Sequence, residues 1–288
     1  MGRGLCGAHR EDERVRAAGS KSYYTFVLRN ENTGRYDQNV KIELDSVTSI
    51  IKSTLAAPQL VPWAYRVTRD NISGLTSVFV DAAKELGNDE WERQVDMLLD
   101  TLSDADMLDE YLKENRLRPD DVRDDAATRG STEHGFLERL GAAGLETEGA
   151  AQQLAQDCLN SDTTNDFSKG IAGWWLDRNP RVVASEIVLV SLTHRFCGSV
   201  DLVWLDDDGN LVVTDLKTRG AGKGAYSSDH IQVGAYALAY EEMVGRDVQR
   251  TTVLVVREDG TWLEEETTIP RQTFIDIANV YRALKGAK

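Results

Sequence analysis

Three residues in the last third of the chain carry the chemistry to start from. Asp201 lies in the run Gly198–Leu205, and Asp215 and Lys217 lie in Leu211–Thr218; both runs are short and rich in Val and Leu. Side chains alternate along a strand, so Ser199, Asp201 and Val203 point one way, while Leu211, Val213, Asp215 and Lys217 share one face. Between the runs, Asp206-Asp207-Asp208-Gly209-Asn210 reads as a hairpin turn, which makes the two strands neighbours and lets the two acids approach each other. An acid inside an apolar strand is costly unless it is paired or coordinates a metal. Two adjacent acids also repel unless a cation sits between them. Lys217 supplies one positive charge and a divalent ion would supply more; oxygen ligands of this kind suit magnesium or manganese. An isolated Asp-x-Lys is also what an ordinary surface pair on an amphipathic strand looks like. The weight therefore falls on the residues that accompany it.

The elements that must position these residues follow from the patterning. Residues 1–21 are polar and without periodicity, and are expected to form a mobile tail. Tyr23–Leu28 and Tyr36–Leu44 read as strands joined by a turn at 30–34, and Asp45 or Ser46 as the cap of a helix through Lys52. From there to Leu117 the pattern is mainly helical, with Trp91, Val95, Leu98 and Leu99 at helical spacing. Arg118–Asp125 reads as a charged linker, Ser131–Leu140 as a short helix, and 141–149 as a glycine-rich connection. Helices are expected over Gly149–Leu159 and Phe167–Asp177, followed by strands over Val182–Leu192 and the two runs above. Asp229–Val244 is a helix stopped by Gly245, Thr251–Val256 and Trp262–Ile269 are strands, and Pro270 opens a last helix to Leu284. The expected organisation is a tail at 1–21, an N-terminal hairpin and helical subdomain at 22–125, and an α/β core at 126–288.

Bulk properties set bounds on this reading. With 288 residues, 41% hydrophobic and 28% charged, the chain has the balance of a soluble globular protein. No apolar stretch approaches the roughly 20 residues needed to cross a bilayer, and the basic N-terminal residues precede no apolar core of a secretory signal. The three cysteines, Cys6, Cys158 and Cys197, are far apart and form no CxxC pair, so no zinc site or disulfide framework is expected and a reducing, cytoplasmic location fits. A formal net charge of −15 argues against a protein that coats nucleic acid, which needs clustered Lys and Arg. It leaves room for an enzyme whose positive charge is local.

Five elements in fixed order across about 126–245 carry a resemblance. They are Arg129-Gly130-Ser131-Thr132-Glu133-His134, then Glu186, then Gly198-Ser199-Val200-Asp201, then Asp215-Leu216-Lys217, then Gln232-Val233-Gly234-Ala235-Tyr236. This set resembles the RecB-like branch of the PD-(D/E)xK nucleases, which includes phage-encoded and CRISPR-associated exonucleases. A second segment, Ser46–Lys52 with Pro62-Trp63 after it, resembles the N-terminal part of phage exonucleases in that group. The resemblance implies a restriction-endonuclease-like core, a central mixed sheet flanked by helices. It implies that His134, Asp201 and Asp215 bind metal with the Leu216 carbonyl, and that Lys217 positions or activates the attacking water. Gln232 and Tyr236, one helical turn apart, would orient Lys217 or the DNA, and Glu186 matches the first acidic motif.

The implied activity is metal-dependent DNA hydrolysis, with Mg2+ or Mn2+, by an exonuclease of phage or bacterial recombination, replication or repair. The spacing is compatible with one ion or two. An endonuclease, or a nuclease-like fold that only binds DNA, are the alternatives; relatives of the second kind usually lack a ligand or the lysine. Some members of the branch carry an iron–sulfur cluster on four cysteines; with three cysteines away from the expected flanks, none is expected here. Linear DNA is the expected partner, with a recombination or single-strand-annealing protein as a further one and no membrane. Local positive charge would come from Arg129, Arg219, Lys223 and Lys52, with Arg66 and Arg69. Trp174-Trp175 reads as packing, and His9, His194 and His230 as non-catalytic.

Overall fold

The computed structural model describes residues 23–29, 36–55, 60–84 and 88–286. The expected tail at 1–21, the turn at 30–34 and His9 lie outside the described residues. In chain order the elements are β1 (Tyr23–Arg29), β2 (Tyr36–Ser46), α1 (Val47–Thr54), α2 (Leu60–Lys84), α3 (Asn88–Ser103), α4 (Ala105–Glu114), α5 (Pro119–Glu146), α6 (Glu148–Asn160), α7 (Asp166–Arg178), β3 (Arg181–Ser191), β4 (Phe196–Leu205), β5 (Leu211–Arg219), α8 (Ser227–Val244), β6 (Arg250–Arg257), β7 (Trp262–Glu266) and α9 (Gln272–Gly286).

Among the described residues the strands form one mixed seven-stranded sheet in the order β1-β2-β4-β5-β6-β7, with β3 also paired to β4. The β4–β5 hairpin is antiparallel, with Val203 opposite Val213. A parallel β5–β6 pairing requires the long crossover that α8 supplies. Alternation along the strands feeds two cores. Val203, Val213, Val253 and Val255 pack with α1, α8 and α9, whereas Trp204, Val212, Leu254 and Val256 pack with α5, α6 and α7. This is the mixed sheet flanked by helices that the resemblance implied. Trp174 and Trp175 are fully buried there, with Trp174 edge-to-face against Trp204 at 5.8 Å.

The chain divides into two compact units, one of residues 1–56 with 132–288 and the other Ala57–Ser131. The hairpin expected to accompany the helical subdomain instead extends the core sheet, through Asp45–Phe196 and Ser46–Cys197 pairs between β2 and β4. Ser46 caps α1 by accepting from the Ser49 amide. In the second unit, Asn71 donates to the Leu117 carbonyl at 2.6 Å and Leu112 is buried.

One stretch departs from the sequence reading. The expected linker at 118–125 and glycine-rich connection at 141–149 are mostly parts of the single helix α5. Pro119 opens it, where a missing N–H is harmless, and Asp120 and Asp121 favour the positive end of its dipole. Gly141 and Gly144 lie inside it because it presses on β3. A Cβ at Gly141 would stand 2.2 Å from Ser185 Oγ, and one at Gly144 would stand 2.7 Å from Val182 Cγ2.

Candidate active site

The site forms where β4 and β5 part. Their ladder ends at the pair Leu202–Thr214, so Asp201 and Asp215 come next, face to face, without backbone pairing. Asp201 fills the opening itself: its Oδ2 accepts from the Leu216 amide at 2.6 Å. The two acids at this break are met by helices of opposite layers, Asp201 by one and Asp215 by the other. From one side α5 brings His134, whose Nδ1 lies 2.8 Å from Asp201 Oδ1. From the other, α8 brings Gln232, whose Nε2 donates to Asp215 Oδ1 at 3.1 Å and to the Tyr236 hydroxyl at 2.8 Å. Lys217 reaches back along its own strand face to pair with Asp215 Oδ2.

Glu186 completes the cluster from β3. Ligand atoms of His134, Glu186 and Asp201 lie within 4.8 Å of one another. Glu186 holds a left-handed backbone, φ +47, in the middle of a strand. That conformation is rare for a side chain with a Cβ, and such strain concentrates at functional sites. It also coincides with a break in pairing, since Ser185–Leu202 and Ile187–Val200 pair but Glu186–Asp201 does not. Ser199, on β4, donates to Glu186 Oε2 at 3.3 Å.

The electrostatics are those of a pocket short of positive charge. Burial, then the neighbouring Asp201, pushes Glu186 up to about 8. Burial also pushes Asp215 up to about 6, with Lys217 opposing and Asp201 adding to the rise. Burial alone would raise Asp201 too, but His134 and Lys217 together hold it below the usual carboxylate range. His134 and Lys217 are both raised, because the facing carboxylates outweigh the effect of burial. Three carboxylates therefore share one ammonium and one imidazole. Asp215 Oδ2 is buried with no hydrogen-bond partner beyond its ion pair. Carboxylate oxygens with one imidazole, crowded and under-neutralised, suit a hard divalent cation.

The expected residues separate into three groups. His134, Glu186, Asp201, Asp215, Leu216, Lys217, Gln232 and Tyr236 converge. Gln232 engages Asp215 rather than Lys217, and Glu186 joins His134 and Asp201 more closely than Asp215 does. Arg219 follows on the same strand face, but its guanidinium is taken by Asp229 and lies over the Tyr226 ring. Lys223 and Lys52 are exposed on the loop after β5 and at the end of α1; Arg129 is exposed in the second unit. Three supporting residues were not singled out from the sequence. Glu133, 2% exposed, accepts from Ser168 Oγ at 2.6 Å and Asn165 Nδ2 at 3.0 Å, which ties α5 to the start of α7 beside His134. Gly198 lets Tyr236 lie against β4, where a Cβ would be 2.5 Å from its ring. Asp229 caps α8 by accepting from the Tyr226 amide, and with tyrosine rather than serine or threonine three residues before it no capping-box pattern marked it in the sequence.

Comparison with known proteins bears on this arrangement. No curated protein matches the sequence. A solved structure, that of SSO0001, is 15% identical over 52% of this chain and 74% of its own, with a TM-score of 0.30, a level of likeness that decides nothing here. The family model for the PD-(D/E)XK nuclease superfamily matches residues 109–280, a span that contains each member of the convergent cluster. With that match extending over more than half of its length, the chain belongs to the PD-(D/E)XK nuclease superfamily.

Proposed function

We propose that this chain hydrolyses phosphodiester bonds of DNA with Mg2+ or Mn2+, working inward from strand ends. The observation that carries the reading is the half-buried His134–Glu186–Asp201 cluster beside the Asp215–Lys217 pair. These three side chains would hold the ion, with Asp215 and the Leu216 carbonyl nearby. Such an ion lowers the pKa of its bound water and neutralises charge developing on the phosphate.

The chain's own groups perform the remaining work. Asp215 and Asp201 keep Lys217 protonated despite its burial. Lys217 therefore offers a cation and hydrogen-bond donors to a phosphate oxygen, and has no lone pair for taking a proton. Gln232, braced by Tyr236, fixes the Asp215 carboxylate and so the ammonium it holds. Asp201 is oriented twice, by the Leu216 amide and by His134, which leaves it little freedom to rotate. Such preorganisation is what makes charged groups effective in a site closed to water.

The end-directed form of the reading rests on the RecB-like motif order, as does a role in phage or bacterial recombination, replication or repair. The test is a time course on linear and covalently closed forms of one plasmid. Loss of the linear form alone, abolished by chelator and restored by magnesium or manganese, is the expected result. Equal rates on both forms would make this an endonuclease, and full activity in excess chelator would remove the metal mechanism.

A further inference from the structure

The loop after β5 presents an aromatic surface that the reaction itself does not use. Tyr226 immediately precedes α8 and is 47% exposed. The Arg219 guanidinium covers one face of its ring, 4.5 Å from the centroid. Neither partner is free to move. The buried Asp229 carboxylate pairs with Arg219 and accepts from the Tyr226 amide at 2.8 Å through the same oxygen, Oδ2. Arg219 also donates to the Thr218 carbonyl at 3.0 Å. Arg219 was expected to supply local positive charge toward the DNA. Its charge is already matched by Asp229, so what it supplies is a rigid backing for the ring.

The position of this pair is fixed by the strand. Arg219 follows Lys217 by two residues on the same face of β5, which places it roughly 7 Å further along. That distance is on the order of one nucleotide step along an extended single strand, whose adjacent phosphates lie further apart than the axial rise of a duplex. A strand running along β5 with its scissile phosphate at Lys217 would pass this ring. We infer that Tyr226 stacks on an unpaired base flanking the scissile phosphate, which selects single-stranded or frayed DNA. A base inside a duplex has both faces covered by its neighbours, whereas an unpaired base offers one to a tyrosine. A ring already immobilised by a cation loses little entropy on stacking, and base–aromatic stacking tolerates any sequence. The inference rests on the nuclease reading above and adds its substrate class.

The experiment is an abasic walk. Short single strands, each lacking the base at one successive position, are digested with magnesium, and kcat/KM is measured for wild type and variants. Wild type should lose about tenfold or more at one position near the cleaved bond. Tyr226→Ala should show that loss on the intact strand and no further drop at that position. Tyr226→Phe and Tyr226→Trp should keep the position-dependent drop; Tyr226→Leu, apolar without a ring, should lack it. A flat wild-type profile, or an unchanged drop in Tyr226→Ala, overturns the stacking role while the nuclease reading stands. If wild type cleaves no DNA with either metal, the nuclease reading fails and this inference goes with it.

Discussion

Asp201 touches an imidazole from α5 and a backbone amide from β5, and lies within ligand reach of Glu186 on β3. Lys217 is what makes a second buried acid tolerable beside it. Lys217→Ala should lower kcat by at least about 10²-fold while isothermal calorimetry still records divalent-ion binding, since an ammonium is not a ligand. It should also lower stability in chelator by about 3 kcal/mol, because Asp215 is left buried without its counter-charge. Metal binding lost while cleavage persists would reverse the assigned roles. Gln232 acts one step further out. Gln232→Ala should reduce kcat about tenfold with DNA affinity nearly unchanged, the effect of removing a partner that orients a ligand or charged group. A change in affinity alone would place Gln232 on the substrate instead.

At the scale of elements, α5 must lie close enough to β3 for His134 to meet Asp201, and glycines set that distance. Gly141→Ala gains helix propensity of about 1 kcal/mol. It also forces a Cβ to within 2.5 Å of Ser185 Cβ, which no rotation of a distant group relieves. The net expectation is a loss of about 1–2 kcal/mol in denaturant unfolding together with weaker divalent-ion binding. Unchanged stability would mean α5 has room to move. On the opposite layer, α8 is fastened to the β3–β4 turn through Glu242, which accepts from Ser191 Oγ at 2.5 Å and from the amides of Leu192 and Thr193 at 2.9 and 3.0 Å. Partial burial works against the charged form, but these donors hold the carboxyl below its ordinary range. The unfolded chain then takes up the proton more readily, so this contribution is complete above the ordinary glutamate pKa and fades as pH falls through the lower folded value. Glu242→Gln should cost about 1 kcal/mol at neutral pH, an amount already reduced for solvent screening. The gap to wild type should close below about pH 4. A gap independent of pH in thermal melts would exclude the charge as its source.

For the whole molecule, the net charge of −15 means that folding gathers acids which repel, and the site is where the repulsion is buried. A divalent cation should therefore stabilise the folded chain independently of any cleavage. At a hundredfold excess over its dissociation constant, magnesium or manganese should add about 2.7 kcal/mol and raise the melting temperature by several degrees. Asp201→Asn should abolish most of the rise. An equal rise in the variant would locate the binding elsewhere on the acidic surface. Among the described residues no helix is long and apolar enough to cross a membrane.

Local chemistry was legible in the sequence wherever neighbours in the chain decide it. The β4–β5 hairpin follows from its turn residues, the shared face of Asp215 and Lys217 from strand alternation, and the ends of α1 and α8 from Ser46 and Gly245. The family resemblance carried by the motif order also pointed to the convergent set. What sequence left undecided are contacts between distant elements. Gly141 and Gly144 read as helix breakers until β3 is seen against them, since propensity is a local quantity and a helix–strand contact overrides it. Arg219 read as free local positive charge until Asp229, ten residues on, was seen to hold its guanidinium. Glu133 stood within the Arg129–His134 motif but was given no role of its own, because a buried acid differs from a surface acid only through Ser168 and Asn165, more than thirty residues away. The gap in the sheet beside Asp201 is likewise tertiary: β2 and β5 take opposite ends of one edge of β4, and no residue pattern in β4 alone specifies where they stop.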